Sequence, residues 1–113
     1  MSIDFTVKNI DATDKEIVVA LKEYGFQDEG KNSWFYANGS SYRGVWAYPG
    51  KHYVTFTTYA GRNGNDVGKQ MDFAIKLAKN FGGRLCNTQT RQCTTIKLTK
   101  ERKIKRIEKR LLE

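Results

Sequence analysis

Residues 33–59 read SWFYANGSSYRGVWAYPGKHYVTFTTY, and this stretch decides the fold. It is rich in aromatic and β-branched residues, which favour strands. It is interrupted by Asn38-Gly39 and Pro49-Gly50. Both dipeptides are typical of turns, because Gly accepts positive φ and Pro fixes φ near the value that turns need. The stretch therefore predicts a meander of three antiparallel strands.

The two turns assign the side chains of this meander to two faces. If each turn is a two-residue loop, Ala37 lies opposite Ser40 and Tyr48 lies opposite Lys51. The more aliphatic face, which is expected to pack under helices, then carries Trp34, Tyr36, Val45, Ala47, Val54 and Phe56. The other face carries Phe35, Tyr42, Trp46, Tyr48, Tyr53 and Tyr59 among Gly44, Lys51, Thr55 and Thr57.

The chain before the meander predicts a strand and a helix. Ile3, Phe5 and Val7 alternate with polar residues, as in a half-buried strand. Thr13 to Glu16 has the pattern of a capping box, which marks a helix start, and Gly25 is placed to end that helix.

The chain after the meander predicts a second helix, a strand and a third helix. The second helix is expected to be capped by Asn65 or Asp66, to end at Gly82-Gly83 and to bury a stripe of Val67, Met71, Ala74, Ala78 and Phe81. Residues 93–98 suggest a strand that pairs with the first one, and Thr99 is placed to cap a basic helix. The predicted order is β-α-β-β-β-α-β-α: an α+β domain over residues 1–98, followed by an amphipathic basic helix over residues 99–113.

The net charge of +8 is concentrated in the second half of the chain. Residues 1–60 contain six Lys or Arg and seven Asp or Glu, whereas residues 61–113 contain fourteen Lys or Arg and five Asp or Glu. This asymmetry indicates a negatively charged partner, either nucleic acid, an acidic protein or an anionic membrane. The residues predicted to contact it are Arg62, Lys69, Lys76, Lys79, Arg84, Arg91, Lys97, Lys100, Arg102, Lys103, Lys105, Arg106, Lys109 and Arg110.

The C-terminal basic segment also has an apolar stripe, formed by Ile104, Ile107 and Leu111. The stripe favours docking on the domain, on a partner protein or on its copy in a homodimer. A membrane is the least expected partner, because the segment is short and its stripe has no Trp or Phe.

Four aromatic residues are candidates for stacking on unpaired bases: Tyr42, Trp46, Tyr48 and Tyr53. The alternative is that the C-terminal helix covers their face of the sheet. Register decides between the faces, since a one-residue shift would exchange them.

No constellation of residues in the sequence identifies an enzyme, and neither a metal nor a cofactor is expected. His52 is the single histidine and is expected to be packed and hydrogen-bonded beside Val54 and Phe56. Cys86 and Cys93 are too few for a zinc site and are expected to be reduced thiols, in a protein of the cytosol that has no membrane span.

The sequence thus predicts a non-enzymatic protein that binds nucleic acid, single-stranded RNA or DNA or a duplex backbone. The alternative is a small inhibitor or interaction protein, of the kind encoded by phages or mobile elements, that binds a host or defence protein or a nucleoprotein complex. A metal-independent ribonuclease that uses His52 is a minor alternative.

Overall fold

The computed structural model describes residues 2–40, 43–59 and 64–95. Their elements are, in chain order, β1 (Ser2–Lys8), α1 (Asp14–Glu23), β2 (Gln27–Asp28), β3 (Trp34–Ser40), β4 (Arg43–Gly50), β5 (Tyr53–Tyr59), α2 (Gly64–Phe81), β6 (Arg84–Asn87) and β7 (Cys93–Thr95). The strands form one antiparallel sheet in the order β2-β3-β4-β5-β1-β6-β7. The predicted α+β class is confirmed.

Both helices pack on the aliphatic face of the sheet, as the sequence predicts. Val45, Ala47, Val54 and Phe56 are fully buried, and they belong to one core with Trp34, Ile17, Leu21, Ala74 and Leu77. Helix α1 begins at the predicted capping box, in which Glu16 N donates to Thr13 Oγ1 (3.2 Å) and Thr13 N donates to Glu16 Oε1 (3.1 Å). The capping box therefore determines where α1 begins, and burial of the aliphatic face of the sheet determines which side of the sheet α1 covers.

A buried glutamine joins α2 to the two central strands. Gln70 is 0% exposed, and its Nε2 donates to the carbonyl oxygens of Ile3 (2.7 Å) and Phe56 (2.6 Å). Thr58 Oγ1 donates to Gln70 Oε1 at 3.4 Å. A buried amide is stable only when its donors and acceptor have partners, so these bonds fix α2 against β1 and β5.

The predicted turn at Asn38-Gly39 is wrong. Strand β3 continues to Ser40, and its register with β4 shifts between Ala37 and Ser40, as at a bulge. Asn38 is held there by its Nδ2, which donates to Asp66 Oδ1 at 2.7 Å. Helix α2 begins at Gly64, so Asp66 lies in its first turn and neither Asn65 nor Asp66 is its cap.

The predicted turn at Pro49-Gly50 is also wrong, because β4 extends through both residues and Gly50 pairs with Tyr53. The turn is Lys51-His52, with His52 at φ +63°. Relative to the prediction, the cross-strand partners are displaced by four residues, so that Ala37 pairs with Gly44 rather than Ser40, and Tyr48 with Thr55 rather than Lys51. Because four is an even number and side chains alternate along a strand, the paired residues keep their predicted faces.

Strands β2 and β6 were not predicted, and the strand that begins at Cys93 pairs with β6 rather than with β1. Strand β6 occupies the edge of β1 because α2 ends at Gly82-Gly83 and the chain turns back against Lys8. A Cβ at position 83 would lie 2.6 Å from the Lys8 carbonyl oxygen, which is why this close approach needs glycine.

The two cysteines are joined by a disulfide, which corrects the prediction of reduced thiols. Cys86 and Cys93 are directly opposite each other on β6 and β7, and opposed residues of antiparallel strands bring their side chains together. The disulfide could not be predicted from the sequence, because β6, the strand that contains Cys86, was not predicted.

We expect Cys86→Ser combined with Cys93→Ser to lower the free energy of unfolding by about 2.5 kcal/mol, the loop-closure entropy of so short a loop. In a domain of this size the melting temperature would fall by roughly 10 °C. Thermal denaturation followed by circular dichroism measures it. Reductant should bring the melting temperature of the wild type down to that of the double variant; a wild type insensitive to reductant would contradict the expectation.

Candidate nucleic-acid interface

The sheet face turned away from α1 and α2 is here called the open face, because no helix of the described residues packs on it. Strand pairing aligns its side chains in rows across the sheet. One row contains Asp4, Thr57, Trp46, Phe35 and Gln27. The next contains Cys93, Cys86, Thr6, Thr55 and Tyr48. Beyond it lie Thr95, Arg84 and Lys8, with Tyr53 opposite Gly50.

Four rings of the open face form a continuous aromatic strip. The Trp46 centroid lies 4.8 Å from that of Phe35 and 6.2 Å from that of Tyr48, whose ring is tilted by only 8° from the Trp46 plane. The Tyr48 and Tyr59 hydroxyls are 3.2 Å apart. Tyr59 is 55% exposed, and Tyr53, nearer the other end of β5, is 44% exposed. Trp46, Tyr48 and Tyr53 therefore lie on the predicted face, while Tyr42 lies outside the described residues.

Burial raises the pKa of Tyr48 to about 12, with further contributions from the hydrogen bond to Tyr59, the charge of Tyr59 and the charge of Asp4. The phenol is therefore neutral and keeps its hydrogen throughout the physiological range. Tyr48 is therefore uncharged within the aromatic strip.

The raised pKa of Tyr48 predicts a loss of stability at high pH. Because its folded pKa lies above the ordinary value of 10.0, the folded state holds the proton more tightly, and this contribution is complete below pH 10 and lost as the pH rises towards 12. Absorbance of tyrosinate near 295 nm should show a late step near pH 12 that disappears in Tyr48→Phe. A titration unchanged by Tyr48→Phe would contradict the assignment.

The centre of the open face is polar and includes a carboxylate. Asp4 Oδ1 accepts from Thr57 Oγ1 (2.7 Å), and Asp4 Oδ2 accepts from Gln89 Nε2 (2.9 Å). The Thr6 and Thr55 hydroxyls are 2.9 Å apart. A carboxylate repels phosphate, so phosphates are expected away from this centre.

One end of the open face is basic. Lys8 and Arg84 are directly opposite each other on β1 and β6, and both are exposed. Lys51 lies nearby in the β4–β5 turn. The sequence predicted Arg84 but missed Lys8 and Lys51 as site residues. Lys8 continues the outward alternation of Asp4 and Thr6, and that pattern was the available signal.

The structure divides the predicted basic residues between two sides. Lys69, Lys76 and Lys79 lie on α2, across the sheet from the aromatic strip, and Lys76 Nζ sits 5.7 Å from the centroid of the Tyr24 ring. Arg91 lies in the β6–β7 turn. The split follows from packing, because α2 must cover the aliphatic face. Nine predicted residues lie outside the described ranges, as do the helix over 99–113 and its apolar stripe: Arg62, Lys97, Lys100, Arg102, Lys103, Lys105, Arg106, Lys109 and Arg110.

His52 is exposed in a turn, so the prediction of a packed histidine is wrong, although the predicted hydrogen bond exists. Its Nδ1 lies 3.2 Å from the Ile10 carbonyl oxygen, and Ile10 N donates to the His52 carbonyl at 2.9 Å. Because a carbonyl only accepts, Nδ1 carries the hydrogen of the neutral ring. Nε2 is then the nitrogen left for a ligand.

Comparison of the chain with known protein families, with curated proteins and with solved structures gave no match. Among the described residues, no group of three His, Cys, Asp or Glu is placed to hold a metal ion. Neither α1 nor α2, the helices of those residues, has the length and apolar character needed to cross a bilayer.

Proposed function

We propose that this protein binds single-stranded nucleic acid on its open face, without catalysing a reaction on it. The observation that carries the proposal is the aromatic strip, which lies on a face free of described helices. The cations Lys8 and Arg84 lie on the same face, at the end of β1 away from Ser2, the partner of Tyr59. Aromatic rings stack on any unpaired base, and Lys and Arg neutralise the phosphates that connect the bases.

Base stacking and phosphate neutralisation are expected at different parts of the open face. Bases are expected on the strip of Phe35, Trp46, Tyr48 and Tyr59, and phosphates at the basic end. The basic residues beyond residue 95 add positive charge to the same chain and are proposed to hold more of the backbone. Single strands are preferred over duplexes, because a base inside a duplex has no free face for stacking.

Fluorescence anisotropy with labelled single-stranded RNA, single-stranded DNA and duplex DNA, at about 50 and 200 mM salt, tests the proposal. We expect single strands to bind more tightly than the duplex, with an affinity that falls steeply as salt rises, because phosphate binding releases counterions. Absence of binding to all three, or binding that salt does not change, would refute it.

A protein partner is the second candidate, and a surface on the helical layer favours it. Val19 is 54% exposed on α1, beside a groove of about 580 Å³ to which Val18 and Phe81 contribute. Exposed apolar grooves are typical of protein interfaces. A stoichiometric partner that survives nuclease treatment, and is released by Val19→Asp but not by changes on the open face, would favour this candidate.

The ribonuclease alternative also has one supporting observation, since His52 shares a pocket with Lys8, Lys51 and Tyr53. General acid-base cleavage of RNA requires such groups close together. Prolonged incubation with labelled RNA separates the two proposals: intact RNA is expected for a binding protein, whereas fragments absent with His52→Ala would establish cleavage.

A cytosolic location is likewise a proposal, and the Cys86–Cys93 disulfide bears on it. Disulfides are rare in the reducing cytosol, so a cytosolic protein is expected to contain two free thiols there. Alkylation of cells at the moment of lysis, followed by mass spectrometry, distinguishes the two forms. A fully oxidised pair in the cell would argue against the cytosol.

A further inference from the structure

The basic end of the open face contains a pocket of about 370 Å³, here called the turn pocket. It is lined by Thr6, Lys8, Asn9, Lys51, His52, Tyr53 and Thr55. Three segments form it: the end of β1, the beginning of β5 and the Lys51-His52 turn. Backbone and side-chain hydrogen bonds between His52 and Ile10 hold the turn against the residues that follow β1.

The charge of the turn pocket suits an anion. Lys8 and Lys51 line it, Arg84 lies beside Lys8, and no Asp or Glu is among its lining residues. The carboxylate of the open face nearest along β1 belongs to Asp4, four residues before Lys8, a separation of roughly 13 Å along a strand. That carboxylate also accepts hydrogen bonds from Thr57 and Gln89.

The wall of the pocket supplies uncharged polar groups beside these cations. The His52 ring lines the same wall with Nδ1 directed to Ile10, so Nε2 of the neutral ring is an acceptor, and the ring reports on the pocket without donating to an anion. The paired hydroxyls of Thr6 and Thr55 and the amide of Asn9 line the same space. Phosphate is the anion that such a mixture of ammonium groups, hydroxyls and a side-chain amide binds well, because it offers several acceptor oxygens.

Tyr53 adds a surface for a base. Its ring lies directly against Gly50, where even a Cβ would overlap the ring, so the backbone supports the ring. At 44% exposure, much of the side chain still faces solvent at the pocket. A supported and exposed ring is suited to stacking.

We infer that the turn pocket is a phosphate-binding subsite, which holds the phosphate of one nucleotide while the base of that nucleotide stacks on Tyr53. The inference rests on the proposed function and deepens it, because it places one nucleotide of the bound strand. The same chemistry accepts inorganic phosphate or a free nucleoside monophosphate, so the test includes each source.

The test uses the imidazole NMR signals of His52, which is the only histidine of the chain. Inorganic phosphate, adenosine monophosphate and a short single-stranded oligonucleotide are titrated separately at constant pH and ionic strength. We expect all three to shift the signals, with the monophosphate binding at least fivefold more tightly than phosphate. Tyr53→Leu should remove that advantage and leave the phosphate affinity unchanged.

Lys8→Ala combined with Lys51→Ala should weaken the monophosphate at least tenfold. For the oligonucleotide, the plot of log affinity against log salt concentration should also become less steep by about 1.4. This is the change expected when two phosphate contacts to a single strand are lost. The matched control is Lys15→Ala with Lys22→Ala on α1, which removes the same charge and should change neither quantity.

The outcomes separate this inference from the proposed function. An oligonucleotide that binds the wild type and the pocket variant equally well refutes the subsite and leaves the proposed function standing. Binding of phosphate and monophosphate without any binding of oligonucleotides supports the subsite and refutes the proposed function. Signals of His52 that respond to none of the three refute the subsite.

Discussion

Replacing Tyr53 and Tyr59 together by Ala is expected to weaken binding of single-stranded oligonucleotides by roughly 30-fold or more. Each base stacked on an aromatic ring contributes about 1–3 kcal/mol, and 1.4 kcal/mol corresponds to a factor of ten. These two tyrosines are the most exposed large rings of the described residues, at 44% and 55% exposure, so their removal takes away stacking surface without opening the core. Anisotropy titration at fixed salt measures the change.

Two controls isolate the rings from other effects. Tyr53→Phe with Tyr59→Phe keeps both rings and removes both hydroxyls, including the one by which Tyr59 contacts Tyr48. This variant should bind the oligonucleotide with an affinity within about threefold of the wild type, because it loses only one weak hydrogen bond. Val19→Ala removes an exposed apolar side chain from the helical layer and should change nothing. A double Ala variant that binds as well as the wild type would exclude stacking at these positions.

The largest effect on stability is expected at Gln70. Gln70→Leu keeps the volume of the side chain and removes both donated hydrogen bonds, so the free energy of unfolding should fall by about 2–4 kcal/mol. The effect is large because the Gln70 side chain is fully buried where α2 packs on β1 and β5, and there it donates to the carbonyl oxygens of Ile3 and Phe56. Urea denaturation should show a lower midpoint with an unchanged slope.

The control for Gln70 is an exposed residue of the same helix. Asp72→Ala should change the free energy of unfolding by no more than about 0.5 kcal/mol, as is usual for surface positions. A Gln70→Leu variant as stable as Asp72→Ala would show that the buried amide does not hold α2 on the sheet.

The fold shows which structural features local sequence can predict. The capping box at Thr13 and the end of α2 at Gly82-Gly83 depend on neighbouring residues, and both were predicted. The two faces of the meander were also predicted although both turns were misplaced. Alternation fixes the face of a side chain, and displacement by an even number of residues preserves it.

The features that depend on distant parts of the chain were not predictable in the same way. Pairing of β6 with β1 brings Arg84 beside Lys8, residues that nothing local connects. Cys86 lies opposite Cys93 because β6 pairs with β7, and β6 was not predicted. Gln70 lies three residues after Val67 and four before Ala74, at the spacing of the buried stripe, but only the position of α2 over β1 and β5 shows which carbonyls its amide meets.

The candidate site was therefore predicted in part. Trp46, Tyr48, Tyr53 and Arg84 lie on the open face, as the proposal requires. The α2 lysines lie on the opposite side, because amphipathicity shows which residues of a helix are polar but not which layer of the domain the helix joins. Lys8 and Lys51, which complete the basic end, were not predicted as site residues, although alternation along the strands placed both on this face; the tertiary structure brings them into one pocket.

The emission of Trp46 tests the central claim most directly. The chain has two tryptophans, of which Trp34 is buried in the core and Trp46 lies on the open face. Stacked bases should quench Trp46, so titration with an unlabelled single-stranded oligonucleotide should lower the emission in step with binding. Trp46→Phe should abolish the quenching while binding persists through the remaining rings. Tight binding of the oligonucleotide that leaves the emission of Trp46 unchanged would show that nucleic acid does not bind on the open face.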